Sequence, residues 1–320
     1  MNRFEVCRRA WRACGVALGL ALLVSCGGSG QQVEPFAPKR VLVFGDEQSL
    51  LQADGKKYSI NFLDDKGALS CASGPVWTQS LAANFGMVFP GCAGTVAQPQ
   101  GRMYAGVNAK VADVAAQIDS HLGGDTFSRT DLVTVFAGLH DILNIYAQFP
   151  GRSRADVIQD AAAAGSALAA QINRIARADG RVIYVTLPDL GRSPFALAQR
   201  IANPGDVDRA ALLSDLTNSF NKSLKLAVIN DGRLIGLVSE DELSLVITNN
   251  PASSGFANVT DAACLNTVAL VDCTTLTMAT VNSVAATPTS FYWADATHLS
   301  AGAQATLSQA AQVRARGNPF

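Results

Sequence analysis

Val41-Leu-Val-Phe-Gly-Asp-Glu-Gln-Ser-Leu-Leu51 reads as a buried strand running into a tight turn. Four apolar residues in a row, Val41 to Phe44, lack the polar alternation of a half-exposed strand and suit one covered on both faces. Gly45, Asp46, Glu47 and Ser49 end the run with a turn former, two carboxyls and a hydroxyl. Groups able to act as acid, base or nucleophile therefore sit at the carboxyl end of the first strand.

Similar runs recur at wide intervals, at Leu132 to Phe136, Val182 to Thr186 and Leu234 to Val238. Between them lie helical patterns at Ala109 to Leu122, Arg154 to Ala178 and Arg209 to Val228, with a last helix over Ala301 to Val313 capped by Ser300. Strands alternating with helices imply βαβ units and a parallel sheet covered on both faces, hence one α/β domain. Ligands of such sheets bind beyond the carboxyl ends of the strands. Gly45 to Ser49, Gly138 to Asp141 and Pro188 to Arg192 each follow a strand and are expected on that edge. Two segments break the alternation: Ala53 to Leu69, expected as an inserted hairpin near the site, and Asn249 to Ser290, expected as a long loop or short-strand region.

The amino end reads as an export signal. Arg3, Arg8, Arg9 and Arg12 precede the apolar run Gly15 to Val24, which falls short of the about 20 residues a spanning helix needs. Leu23-Val-Ser-Cys26 resembles a bacterial lipobox, in which the cysteine takes lipid and starts the mature chain. The expected organisation is a signal over residues 1–25, a flexible tether over 26–39 and a domain over 40–320, anchored through Cys26 at the envelope, with the outer membrane expected from Gly27 after the cysteine. The 25 basic and 26 acidic side chains fall to 21 and 25 once residues 1–25 leave, a net charge near -4. Without a basic block, nucleic acid is not an expected partner.

Cys7 and Cys14 leave with the signal, and the four cysteines beyond Cys26 form two local pairs, Cys71 with Cys92 and Cys264 with Cys273. In an oxidising compartment these read as two disulfides, the alternative being four free buried thiols. Neither pair has zinc-ligand spacing, so no metal and no cofactor are expected.

Only three histidines occur. His121 sits at a helix end before Gly123, a common structural placement. His298 lies in Phe291-Tyr-Trp-Ala-Asp-Ala-Thr-His-Leu-Ser-Ala-Gly-Ala-Gln304, three residues after Asp295 on a turn into the last helix. That spacing lets the carboxylate accept from Nδ1 while Nε2 faces outward as a base.

With these residues in view, the chain resembles the SGNH (GDSL-type) hydrolases. Phe291 to Gln304 is similar to the family's last block, which supplies the Asp and His of a Ser-His-Asp triad. Val41 to Ser49 stands where the first block belongs, Tyr104 to Ala109 where the second does, and Val133-Thr-Val-Phe-Ala-Gly-Leu-His-Asp141 where the third does. The resemblance implies a three-layer α/β/α fold with a central parallel sheet, of the flavodoxin-like SGNH type, and hydrolysis of acyl or acetyl esters of lipids or glycans. It also implies cleft roles for Asp46, Gly138 and Asp141. Three signature positions depart from the family: Glu47 stands at the serine, Asn108 at the oxyanion-hole glycine with Gly106 close by, and His140 at the oxyanion-hole asparagine. Only His298, with Asp295, matches.

Several readings stay open at this point. Ser49 is a displaced nucleophile for His298, or it only hydrogen-bonds the turn; Glu47 with His298 activates a water directly; or the protein is a catalytically silent lipoprotein that keeps the cleft for binding or envelope interaction.

Overall fold

The computed structural model describes residues 36–317 and Phe320. The expected signal, Cys26 and residues 27–35 of the tether lie outside the described residues. Among those described, no helix is long and apolar enough to cross a membrane.

The core is a five-stranded sheet in the order β2-β1-β3-β4-β5, built from β1 (Arg40–Gly45), β2 (Gly101–Met103), β3 (Asp131–Phe136), β4 (Arg181–Val185) and β5 (Ile235–Val238). Every neighbouring pair is parallel. Val41 to Phe44 are fully buried, as are Val182, Ile183 and Val185, because helices cover both faces. On one face, α2 (Val111–Leu122) packs on β1, and α4 (Arg154–Arg177) packs on β4, on α2 and on α6 (Arg209–Ala227). On the other, α8 (Ala301–Arg316) lies over β4 and β5 and against α1 (Trp77–Ala83). The three-layer α/β/α expectation is met.

The strand order decides where a site can form. The chain leaves β1 for β2 on one side and returns past it to β3 on the other, so the loops after β1 and β3 diverge and open a crevice between them. Four short helices were not expected from sequence: α1, α3 (Leu139–Tyr146), α5 (Pro194–Ala202) and α7 (Glu240–Asn249). β2 was also missed, since three residues carrying Arg102 give no apolar run.

Ala53 to Leu69 is not a hairpin. It forms two tight turns closed by the single bridges Leu51↔Lys57 and Leu63↔Leu69. Its centre instead packs into the Asn249 to Ser290 region: Ile60 shares a small second core with Ala263, Cys264, Cys273, Phe291 and Ala294, and the Asn61 amide donates to the Val271 and Cys273 carbonyls. That region holds β6 (Asn258–Ala262), which pairs in parallel with β9 (Phe291–Trp293), and a small hairpin of β7 (Thr280–Val281) and β8 (Val284–Ala285).

Both expected disulfides are formed, Cys71–Cys92 and Cys264–Cys273. Closing a loop of 21 residues restricts the unfolded chain. Replacing Cys71 and Cys92 together by alanine is expected to lower unfolding free energy by about 3 kcal/mol, read from the urea midpoint at unchanged slope; an unchanged midpoint would show that this bridge adds no stability.

A second stability effect comes from Glu240, fully buried at the start of α7, which accepts from the Tyr292 hydroxyl at 2.6 Å. Burial pushes its carboxyl up to about 8, against the pull of the Tyr292 hydrogen bond. The folded state thus keeps a proton that the unfolded chain gives up near the ordinary glutamate value. Stability from this group is complete in acid and is lost as pH rises through that range to about 8, a loss on the order of a few kcal/mol. Glu240→Gln cannot ionise, so its melting temperature should gain on the unaltered protein from pH 5 to pH 8; an equal offset at both pH values would contradict the buried proton.

Candidate active site

Gly45 ends β1 with a φ of 133°, and both its backbone groups are held by the Gln117 side chain of α2, the N–H donating to Oε1 at 2.8 Å and the carbonyl accepting from Nε2 at 2.9 Å. Next comes one 3-10 turn, Glu47–Ser49, capped by Asp46, whose Oδ1 accepts the Gln48 N–H at 3.0 Å. In so tight a turn consecutive side chains diverge. Glu47 turns toward the crevice. Ser49 turns into α1.

Ser49 is fully buried, its Oγ accepts the Trp77 indole N–H at 3.1 Å, and its carbonyl accepts from the Thr78 hydroxyl. The partners of His298 are Asp295, Glu47 and Thr297, so the fold does not bring Ser49 to the imidazole. The structural reading of Ser49 replaces its reading as a displaced nucleophile, because the capped turn aims it away from the sheet edge.

Glu47 takes the central place. Its Oε1 lies 2.6 Å from His140 Nε2 and 3.0 Å from His298 Nε2, and its Oε2 accepts the Asn108 N–H at 2.8 Å. His140 arrives in the first turn of α3, whose N-cap is Gly138 at a φ of 124°. A Cβ at Gly138 would stand 2.4 Å from the Phe220 ring, so glycine is required for this close approach. Asn108 adopts a left-handed φ of 56°, which asparagine tolerates, and this aims its backbone N–H at the carboxylate. Gly106 contributes no free donor: its N–H is spent on the Gly45 carbonyl at 3.0 Å. Asp141 accepts the Val111 N–H at 3.0 Å and so holds the start of α2.

His298 and Asp295 come from the turn between β9 and α8. Asp295 Oδ1 accepts the backbone N–H groups of Thr297 and His298, both at 2.8 Å, and its two oxygens lie 2.9 and 3.0 Å from His298 Nδ1. The loop is anchored beneath by Gln48, whose Oε1 accepts the Leu299 N–H, and by Gln304, which bonds the Gln48 carbonyl and the Trp77 N–H. The insertion adds one more tie, from the Ser59 hydroxyl to the Leu299 carbonyl.

The centre is largely buried, and its ionisable groups lie in direct contact. Burial alone would lower His298, but Asp295 and then Glu47 outweigh it and push the imidazole up to about 10. His140 is raised in the same way by Glu47 against its burial. Burial works to raise Glu47, and the two imidazoles overcome it and hold the carboxyl well below the usual range. Asp46 has no such partner, so burial, helped by the Glu47 charge, pushes it up to about 7. Glu47, His140 and His298 also form the one group of three donors among the described residues whose ligand atoms all lie within 4.8 Å of one another. The expectation of no metal rested on sequence spacing, which is blind to donors 93 and 251 residues apart.

Elsewhere the sequence candidates are structural. His121 is buried between Phe44, Tyr104 and Phe127, with Nδ1 at 3.0 Å from the Tyr104 hydroxyl. Asp189 pairs with Arg192 at 3.3 Å, and Phe291 to Trp293 are fully buried core.

No family model matches the chain, and no curated protein matches it. In fold it is similar to solved structures of lipolytic and esterase proteins. A member of the lipolytic protein G-D-S-L family from Veillonella parvula aligns at 13% identity and TM-score 0.44 over 85% of this chain and 95% of its own. A lipase from a goat rumen metagenome aligns at 10% and 0.48 over 88% and 99%. An acetylxylan esterase from Geobacillus stearothermophilus aligns at 11% and 0.43 over 89% and 97%.

Proposed function

We propose that this protein is an ester hydrolase that adds water directly to the ester carbonyl at the Glu47–His140–His298 centre, with no acyl-enzyme. What carries the reading is one observation: a carboxylate oxygen lies within hydrogen-bond distance of two imidazole Nε2 atoms, and one of those imidazoles is backed by Asp295. Burying this many ionisable groups at the carboxyl edge of the sheet is costly for folding and serves no packing need, whereas acid–base chemistry needs such a set.

The steps balance without a further reactant. A water loses one proton to Glu47 as its oxygen bonds to the ester carbonyl carbon. The tetrahedral oxyanion collapses, the bond to the alcohol oxygen breaks, and that oxygen takes a proton from His298. Proton transfer between Glu47 and His298 across 3.0 Å restores the centre, leaving one acid and one alcohol. Glu47 is only 2% exposed, so little room stands beside the reacting carbon. A short acyl group, acetyl above all, is the substrate class this suits, on a glycan or a lipid. The resemblance of the sequence blocks to GDSL-type enzymes supports the same reaction type. The lipobox resemblance at Cys26 supports action at the bacterial envelope, and the two disulfides suit such a compartment.

A second reading has its own observation. The Asn108 N–H and His140, placed where oxyanion donors stand in the resemblance, are both spent on the Glu47 carboxylate, which favours a silent binding module. Two measurements separate these. The hydrolase is expected to release p-nitrophenol from p-nitrophenyl acetate without a burst, and to form no fluorophosphonate adduct on Ser49. Absence of turnover supports the silent module; a burst with Ser49 labelled overturns the direct attack of water.

A further inference from the structure

We infer that Glu47, His140 and His298 form a binding site for one divalent transition-metal ion of the zinc class. The three donors come from the 3-10 turn after β1, the first turn of α3 and the turn before α8, and converge with all ligand atoms within 4.8 Å. Two imidazole nitrogens and one carboxylate oxygen make a donor set that suits zinc with a fourth position left for water; magnesium and calcium prefer oxygen ligands throughout.

Three further observations point to a cation. First, both imidazoles present Nε2 to the centre, and the Nδ1 of His298 is held by Asp295, the carboxylate–histidine arrangement that orients a ligating ring. Second, three carboxyls, of Asp46, Glu47 and Asp295, face only two imidazoles, and among the described residues no Lys or Arg pairs with any of the three. Third, Asp46 is fully buried and its Oδ2 has no hydrogen-bond partner, which leaves an uncompensated polar atom beside Glu47. A divalent ion at the centre keeps positive charge beside these carboxyls when both rings serve as neutral donors. Binding requires the contacts of 2.6 and 3.0 Å between Glu47 and the imidazoles to open, because ligands about 2.1 Å from a tetrahedral ion stand roughly 3.4 Å apart.

The inference rests on the hydrolase reading only for its chemical consequence: a bound ion lowers the pKa of its water and polarises the ester carbonyl, with Glu47 and His298 then serving as ligands. Binding is independent of that reading and is tested by itself. The full chain, purified in detergent with a histidine-free tag, is stripped with EDTA and no reductant, so that the four bridged cysteines stay paired. It is then dialysed against Zn²⁺, the bound metal is measured by mass spectrometry, and Co²⁺ binding is followed by its visible absorption.

One equivalent is expected. His140→Ala and His298→Ala should each weaken binding at least 100-fold, with circular dichroism checking the fold. Asp295→Asn should weaken it about 10- to 100-fold. No tight Zn²⁺ or Co²⁺ in the unaltered protein, or binding that survives both histidine changes, overturns the inference. Full ester turnover by the stripped protein keeps the hydrolase and removes the ion's chemical role, leaving its binding to the metal titration. Metal bound without turnover removes the hydrolase and keeps the metal.

Discussion

Glu47→Gln is expected to lower kcat for p-nitrophenyl acetate by about 10²- to 10⁴-fold, while Ser49→Ala keeps it within a few-fold. Glutamine preserves the size of the side chain but carries no charge. Its amide still accepts through one oxygen and must turn donor hydrogens toward Asn108 N–H or toward the two imidazoles that Glu47 now serves. Leaving the half-buried His140 without its anion, and His298 with Asp295 alone, also lowers stability, by up to about 3 kcal/mol, so the assay belongs well below the melting temperature of the variant. Ser49 touches none of this. Its loss unpairs the Trp77 indole N–H, a change in stability of about 1–3 kcal/mol with no route to the reacting centre. Retained turnover in Glu47→Gln with loss in Ser49→Ala would reverse the assignment.

Gly45→Ala is expected to prevent accumulation of folded protein, a destabilisation above about 4 kcal/mol. A Cβ there would stand 1.9 Å from the Phe136 carbonyl oxygen and 2.8 Å from its carbon, and those atoms belong to the neighbouring strand, paired with Gly45 itself. Moving them apart breaks the register of β1 on β3, the pairing that sets Glu47 and His140 together. The φ of 133° adds a conformational penalty that alanine cannot avoid. Gly67→Ala isolates that second contribution, since Gly67 has a φ of 79° and no atom within 4 Å of its would-be Cβ; it should lose only about 1–2 kcal/mol. Similar unfolding midpoints for the two variants would show that the close approach at Gly45 is unimportant.

Four of the five sheet strands were legible because each is a short run of largely apolar residues that includes β-branched side chains and is buried on both faces, a pattern that needs no partner to recognise. The long helices α4 and α6 were legible for the same reason, with extended periodicity and, in α4, a cap at Ser153. Short elements such as β2 and α3 carry too few residues for a period to emerge, and they form because the surrounding layers hold them. The aromatic run Phe291 to Trp293 is fully buried core.

The candidate site divides along the same physical line. Asp295 and His298 sit three residues apart on one turn, so local geometry brings them together, and the sequence by itself determined that pair. It also determined that the turn after β1 would carry Asp46, Glu47 and Ser49 at the sheet edge. Which of Glu47 and Ser49 faces His298 depends on the rotation of a single 3-10 turn, set by the Asp46 cap and by Trp77 drawing Ser49 inward. The meeting of Glu47 with His140 depends on the pairing of β1 with β3 and on the crevice that the strand order opens between their loops. These were decisions of the tertiary structure alone, because residues 93 and 251 positions apart have no interaction in the chain until the sheet and its two helical layers close around them.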